Sequence, residues 1–473
     1  MAGHQRTDES RVLTAADAEF ERRRRVFNAD VDVSPAAFIE CRDVSDIQRA
    51  VRRCRETGVA LSVKGAGHNL SGSALLDGGV VLDLAPMKRL ELEPGGRRVT
   101  VSGPVLIGEL VRRLRGGDRF LPVGNTDGVS VTGLTLVGGL PNQARAFGLT
   151  CCHLESATIV DARGQVRVLN ARDETGLFWA LKGAGDQFGV VAELVFELVP
   201  VPPHVLFGFL FFPLARAREL LTKYFRLCTR ARFSDAMIYG AFMLDCVGVG
   251  DEFMGEVGVA LRRDTGRSDA VIVPFAHYGG DLGAAQAEYL ALRESLGEPY
   301  FEFMTVDSHW ELHELLRDKQ TARCGCEART RFVGQDVDAE SLAEALASSY
   351  ERSPIDNFVI DCFSLGGALR RTPADATSFP HLAATSGVSF LGRWGLEEPR
   401  RAAHRRFLQA CDRAIRPHVF GAYSGIPNPS VTDPREYFGA NYERLAALKR
   451  AHDPSGLFRK DVPGYGLLPP RDR

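Results

Sequence analysis

Three glycine-dense stretches between Lys64 and Gly189 constrain this chain more than any other feature. They are Lys64-Gly-Ala-Gly-His-Asn-Leu-Ser-Gly72, the small-residue run Gly124–Gly139, and Lys182-Gly-Ala-Gly-Asp-Gln-Phe-Gly189. Glycine has no Cβ and accepts positive φ, so backbone N–H groups in such loops can come close to a ligand. One loop alone reads as a tight turn. Several in succession suit a bound diphosphate. Two familiar phosphate motifs are excluded. No G-x-x-x-x-G-K-[ST] occurs, and the third glycine of a G-x-G-x-x-G is replaced by Leu70 after Gly65-Ala-Gly67.

The remaining composition excludes whole classes. The chain has 473 residues, 45% hydrophobic and 25% charged, with a formal charge of -2. That is the make-up of a globular protein of about two to four folding units. Without a basic excess, bulk charge gives no support to a nucleic-acid partner. No apolar run is long enough to span a membrane. Ten Cys without a regular spacing, and an N-terminus without an apolar leader, predict a reduced, cytoplasmic protein. Oligomeric state is not readable.

Hydrophobic periodicity predicts a helix, a strand and a helix over 16–57, with Glu21–Arg25 as a solvated helix face. Short strands follow at 59–63, 78–84 and 98–102, then a helix at 106–114. A hairpin spans 156–161 and 165–169, and 178–189 is a helix running into the third glycine loop before a strand at 190–198. Beyond about 203 the glycine loops thin out. Strands are predicted at 205–212, 236–244, 255–262, 358–365 and 384–392, and helices at 214–229, 281–296, 339–348 and 399–414. This is an α+β layer of strands covered by helices.

Five ordered motifs carry a resemblance. Val63-Lys-Gly-Ala-Gly-His68, Leu134-Thr-Leu-Val-Gly-Gly139, Phe147-Gly-Leu-Thr-Cys151 and Phe178–Val191 are similar to the FAD-binding domain of the vanillyl-alcohol-oxidase superfamily. The tail Tyr437–Phe458 resembles the signature of its berberine-bridge-enzyme-like branch, and Gly366–His381 also echoes that branch. The resemblance implies an α+β fold with a two-part PCMH-type FAD-binding domain and a substrate domain made of an antiparallel sheet covered by helices. The implied divisions are 1–202, 203–420 and a C-terminal segment 421–473 that returns to the FAD domain. It also implies an FAD-linked oxidase that passes hydride from a small-molecule substrate to flavin N5 and is reoxidised by O2, releasing hydrogen peroxide.

The family binds its flavin covalently, and His68 matches the histidine that bonds to the 8α-methyl carbon. A neutral imidazole is a competent nucleophile for that bond. A subset of the family adds a cysteine bond to flavin carbon 6, and the register from Gly148-Leu149 points to Cys151. Cys152 stays open as the alternative thiol, because it replaces the usual Asp. The resemblance assigns further flavin contacts to Lys64, Gly65, Ala66, Gly67, Asn69, Ser71 and Gly72 in the first loop. Others fall on Gly124, Ser130, Thr132, Gly133, Gly138 and Gly139, on Gly148 and Cys152, on Gly189, Val190 and Val191, and on Asn441 and Tyr442 in the tail. Val137 and Pro141 depart from the family's glycine run, which predicts a reshaped diphosphate loop.

The branch usually takes its proton with a tyrosine at the place occupied here by Ile426. Tyr423 is the first replacement, and Asp361, on an alternating strand, is the second. Asp307 and His309 are weaker candidates, and His381 reads as structural. His309-Trp-Glu-Leu-His313 has zinc-like spacing without a third fixed ligand, so no metal is predicted. The departure at Ile426 favours tailoring of a bulky natural product, such as an antibiotic. A carbohydrate oxidase, a flavin oxygenase and a non-catalytic flavin-holding protein remain as alternatives.

Overall fold

The computed structural model describes residues 10–172, 175–248, 252–318, 322–460, 462 and 464–468. Its first sheet holds β1 (Val12–Leu13), β2 (Ala37–Glu40), β3 (Leu61–Lys64) and β4 (Val80–Asp83) in the order β1-β2-β4-β3. The parallel strands β2, β4 and β3 pack on the amphipathic helix Val44–Thr57, which buries Ile47, Ala50, Val51 and Cys54. Asp43 caps that helix by accepting the Asp46 N–H, and Gly58 closes it at φ +71°. The predicted solvated face at 21–25 is only partly so. Arg23 reaches inward to the buried Asp83 at 2.7 Å and also pairs with Glu40.

β5 (Arg89–Leu92) and β6 (Arg98–Ser102) begin a second sheet, with β7 (Arg119–Phe120) outside it. β8 (Leu154–Val160), β9 (Val166–Asn170) and β10 (Val190–Glu197) complete it in the order β5-β6-β10-β8-β9. All its pairings are antiparallel, and β8–β9 is the predicted hairpin. β11 (Val199–Pro200) pairs with β7. The helix predicted within 178–189 gives way to the glycine loop at Lys182. Helix Leu177–Ala184 leaves helical geometry at Lys182 and Gly183 because segment 377–379 packs against it. A Cβ on Gly183 would lie 2.5 Å from the Phe379 nitrogen.

The third sheet contains β12 (Val205–Pro213), β13 (Met237–Asp245), β14 (Asp269–His277), β15 (Phe301–Asp307), β16 (Gly325–Val333), β17 (Asn357–Ser364) and β18 (Ser386–Trp394). Its order is β15-β12-β14-β13-β17-β18-β16, antiparallel throughout. Helices Ala217–Arg230, Leu282–Leu296, Ala339–Glu351 and Arg401–Ile415 cover one face. Residues from all four share a core with Met243, Val273, Ile360 and Phe390. The α+β class is as predicted.

One strand was misassigned. Residues 252–265 are a helix, not a strand at 255–262. Val257, Val259 and Leu261 alternate as in a strand, but Val259 is exposed while Phe253, Met254, Val257 and Leu261 pack together at helical spacing. β14, β15 and β16 escaped prediction because β14 and β16 are buried on both faces and therefore lack alternation. No helix among the described residues is long and apolar enough to cross a membrane.

Candidate active site

The His68 loop leaves β3 and passes beneath Phe27. The two rings stack at 4.0 Å and 16°. Phe27 is fixed by donating its N–H to the Gly67 carbonyl. His68 Nε2 is shielded from solvent and has no hydrogen-bond partner. Burial lowers the imidazole pKa, against an opposing pull from Asp318, so the neutral form is favoured. Gly128 makes room for the ring: a Cβ there would sit 3.0 Å from Nε2. Among the described hydrogen bonds, none is donated by the backbone N–H groups of residues 66–70. An orphaned ring nitrogen beside a row of available donors fits a flavin with its phosphates.

The other sequence-predicted contacts divide into two groups. Gly65 of the loop lies against the start of the Ser130–Gly133 turn, while the Gly138 and Gly139 carbonyls accept the N–H groups of Cys151 and Thr150. A Cβ on Gly65 would come within 3.2 Å of Ser130 Oγ, and Ser130 caps its helix by accepting the Gly133 N–H. Thr132 donates to the Gly103 carbonyl. Gly139 has φ +71°, and a Cβ there would meet Thr150 at 2.6 Å. Asn69 accepts from the Ser71 N–H and hydroxyl, forming the turn that ends at Gly72. Lys64 Nζ lies 4.0 Å from Asp83, and burial lowers its pKa.

The second group is occupied with packing. Gly189, Val190 and Val191 join β10 to β8; a Cβ on Gly189 would strike the Val160 carbonyl. Asn441 donates to the Ser378 carbonyl, and Tyr442 lies under the Arg435 guanidinium at 4.6 Å. Gly148 takes φ +80° after the helix Ala144–Phe147, and Gly124 has no close neighbour.

The two thiols of 151–152 touch each other but differ in exposure. Cys151 is fully buried beside Val137, Leu149, Phe332 and Tyr423, with its sulfur 3.6 Å from Thr377 Oγ1. Burial and the neighbouring thiol raise its pKa. Cys152 instead lines an outer cavity of about 540 Å³ with His153, Phe178 and Lys182. A hydrogen bond from Cys151 holds the Cys152 pKa near 7 despite burial. Thr377 also donates to the Lys182 carbonyl, which ties the segment to the glycine kink. Sequence reasoning missed Phe27, Gly128 and Thr377. Thr377 left a trace as part of the Gly366–His381 motif, and Gly128 as part of the Gly124–Gly139 run.

Tyr423, the first candidate base, is buried among its neighbours. Its hydroxyl accepts the Leu140 N–H at 3.3 Å, and burial raises its pKa. The residue therefore braces the glycine loop and is poorly suited to losing a proton. Ile426 packs in the same apolar cluster. Asp361 differs. Phe358, Ile360 and Cys362 of β17 point to the helices, so Asp361 points to the opposite face with Val359 and Phe363. Phe363 packs against the Cys151 cluster. Asp361 Oδ1 is buried without a partner, and burial alone pushes its pKa up to about 7.

The remaining candidates stand apart. Asp307 is at the exposed end of β15. His309 packs on Phe120 at 4.1 Å, and burial lowers its pKa to about 3. His309 and His313 are 6.4 Å apart ring to ring, and no group of three potential metal ligands occurs among the described residues. His381 hydrogen-bonds the Ala422 carbonyl and stacks on Phe332, a structural role.

Fold and loop geometry together define a flavin-dependent oxidoreductase, and comparison with known proteins agrees. Residues 35–170 match the FAD binding domain family, and residues 422–461 match the berberine and berberine like family. The (R)-6-hydroxynicotine oxidase of Paenarthrobacter nicotinovorans is 27% identical over 470 residues, covering 95% of both chains. Berberine bridge enzyme-like 12 of Arabidopsis thaliana is 26% identical, covering 94% of this chain and 87% of its own. The solved structure of a chitooligosaccharide oxidase superposes with a TM-score of 0.83 at 18% identity, covering 98% of this chain and 97% of that one. On these matches the chain is an FAD-linked oxidoreductase that carries the FAD binding domain and a berberine-like C-terminal segment, and FAD is its cofactor.

Proposed function

We propose that this protein is an oxidase of a bulky, largely apolar natural product, with FAD attached covalently through His68 and Cys151 and with Asp361 as the proton acceptor. When bound, FAD supplies a two-electron acceptor that takes hydride from substrate carbon and passes the electrons to O2, giving hydrogen peroxide. The observation that carries the reading is the orphaned, neutral His68 Nε2 in a loop of available N–H donors. Cys151, the fully buried thiol, is the second anchor; its neighbour Cys152 lines the outer cavity.

Asp361 accepts a proton from a substrate hydroxyl or amine as the adjacent carbon loses hydride, leaving a carbonyl or imine. A pKa near 7 makes the carboxylate both available and basic at neutral pH. Its sheet face carries Phe242, Val359 and Phe363, an apolar surface. The three tryptophans offer no sugar platform there. Trp179 lies under Arg444, while Trp310 and Trp394 are buried in the cores. This favours an aromatic or polycyclic substrate over an oligosaccharide.

The test is anaerobic mixing of the yellow protein with two panels: aromatic alcohols and amines, and oligosaccharides. Bleaching by the first panel, followed by one peroxide per turnover in air, supports the reading. Bleaching by oligosaccharides alone overturns the substrate class. Substoichiometric peroxide with oxygen in the product overturns the oxidase reading in favour of an oxygenase.

A further inference from the structure

The segment Cys324-Gly-Cys326 is not used by the chemistry above, yet it sits on the seam between the N-terminal strap and the large sheet. Asn28 holds it from the strap side: its Nδ2 donates to the Cys326 carbonyl at 3.0 Å and its Oδ1 accepts the Cys326 N–H at 3.3 Å. The same Nδ2 reaches the Leu70 carbonyl in the His68 loop, at 2.7 Å. Ala29 donates its N–H to the Cys324 carbonyl. Cys326 is paired across the sheet with Arg393, which bonds Asp318 at 3.1 Å. Asp318 and Arg393 are also the charges felt by His68.

The two thiols are hydrogen-bonded to each other, and no disulfide joins them. In extended backbone, residues i and i+2 point to one side, with Cα atoms about 6.6 Å apart. That lies within the roughly 4.4–6.8 Å range spanned by disulfides. Gly325 keeps the strand close to Trp394, because a Cβ there would fall 2.1 Å from the indole nitrogen. Trp394 in turn donates to Asp30. The pair is therefore held in register from both sides before any bond forms.

We propose that Cys324 and Cys326 form a dithiol that hydrogen peroxide oxidises reversibly to an intrachain disulfide beside the flavin loop. The Cys324 thiolate attacks peroxide; an S–O bond forms, the O–O bond breaks, and hydroxide leaves. The Cys326 thiol then attacks that sulfur; the S–S bond forms, the S–O bond breaks, and its proton leaves with the hydroxide as water. Peroxide gains two electrons, and the net products are one disulfide and two waters. The hydrogen bond from Cys326, with Arg393 nearby, holds the Cys324 thiol near pKa 7, which supports its role as the attacking sulfur. Only the source of peroxide, the protein's own turnover, rests on the proposed oxidase activity.

The test adds hydrogen peroxide to the resting holoprotein, so its failure is separable from failure of the oxidase reading. After denaturation and alkylation, the peptide spanning 324–326 is expected two hydrogens lighter and unlabelled, and doubly labelled once dithiothreitol is added. In Cys326→Ser, dimedone is expected to trap a sulfenic acid at Cys324. Oxidation of the exposed Met304 serves as the dose gauge. A doubly alkylated peptide at doses that oxidise Met304, or irreversible oxidation of Cys324 beside intact Cys326, overturns the proposal.

Discussion

The His68 loop and the Asp361 strand each bury one polar atom without a partner, and they do so by opposite means. The loop is built of small residues, and its binding capacity lies in backbone N–H groups. The strand is rigid, hydrogen-bonded on both sides to β13 and β18, and its capacity lies in one side chain set among apolar neighbours. The difference separates two tasks. A cofactor with many polar atoms is held by repeated backbone contacts. In the proposed mechanism a substrate is met by a single group whose pKa the surrounding sheet sets by burial.

The comparison can be broken most decisively at the loop. His68→Ala combined with Cys151→Ala is expected to release all yellow colour into the supernatant on acid denaturation, whereas each single variant and Cys152→Ala retain it on the chain. Colour retained by the double variant removes both anchors from the account.

On the strand side, Asp361→Asn is expected to lower kcat/KM by about 10²–10⁴-fold while flavin stays bound. In the unaltered protein kcat/KM rises with pH through about 7, the pKa of this carboxyl, because the base must be ionised. A flat profile over pH 5–9 excludes Asp361. The same group has a thermodynamic signature. Its folded-state pKa lies above the ordinary value of 3.8, so the folded protein binds the proton more tightly. The stability this contributes is present below about pH 4 and is lost as pH rises to about 7. Asp361→Asn should therefore gain Tm relative to the parent between those limits and hold the gain above pH 7.

A third variant tests how the sheet that carries Asp361 is tied to the C-terminal segment. Arg331 of β16 is buried and binds both oxygens of Asp412, at 2.7 and 2.8 Å, and also Glu436 at 2.6 Å. Arg331→Ala leaves Asp412 buried and uncompensated and is expected to cost about 3–5 kcal/mol, read by denaturant unfolding. The smallest effect belongs to Tyr423→Phe. Losing one acceptor for the Leu140 N–H should cost about 1 kcal/mol and change kcat/KM by less than tenfold. A loss as large as that of Asp361→Asn restores Tyr423 as the base.

Much of the fold was legible, because short strands bounded by glycine and amphipathic helices announce themselves by period. Where both faces of a strand are buried, as in β14 and β16, the period vanishes. Where one exposed valine falls among core positions, as Val259 does, a helix imitates a strand. Phe27 carried no signal and Gly128 only its place in the Gly124–Gly139 run, because each matters through the ring it approaches.

By itself, the sequence determined the cofactor loop and its histidine, since a loop that binds through its backbone must write glycine at fixed places. Only the tertiary structure decided that Cys151 is fully buried while Cys152 reaches an outer cavity, that the Tyr423 hydroxyl accepts the Leu140 N–H, and that burial raises the Asp361 pKa. Those properties are set by desolvation and by which distant groups come near, and neither is encoded in the identity of the residue alone.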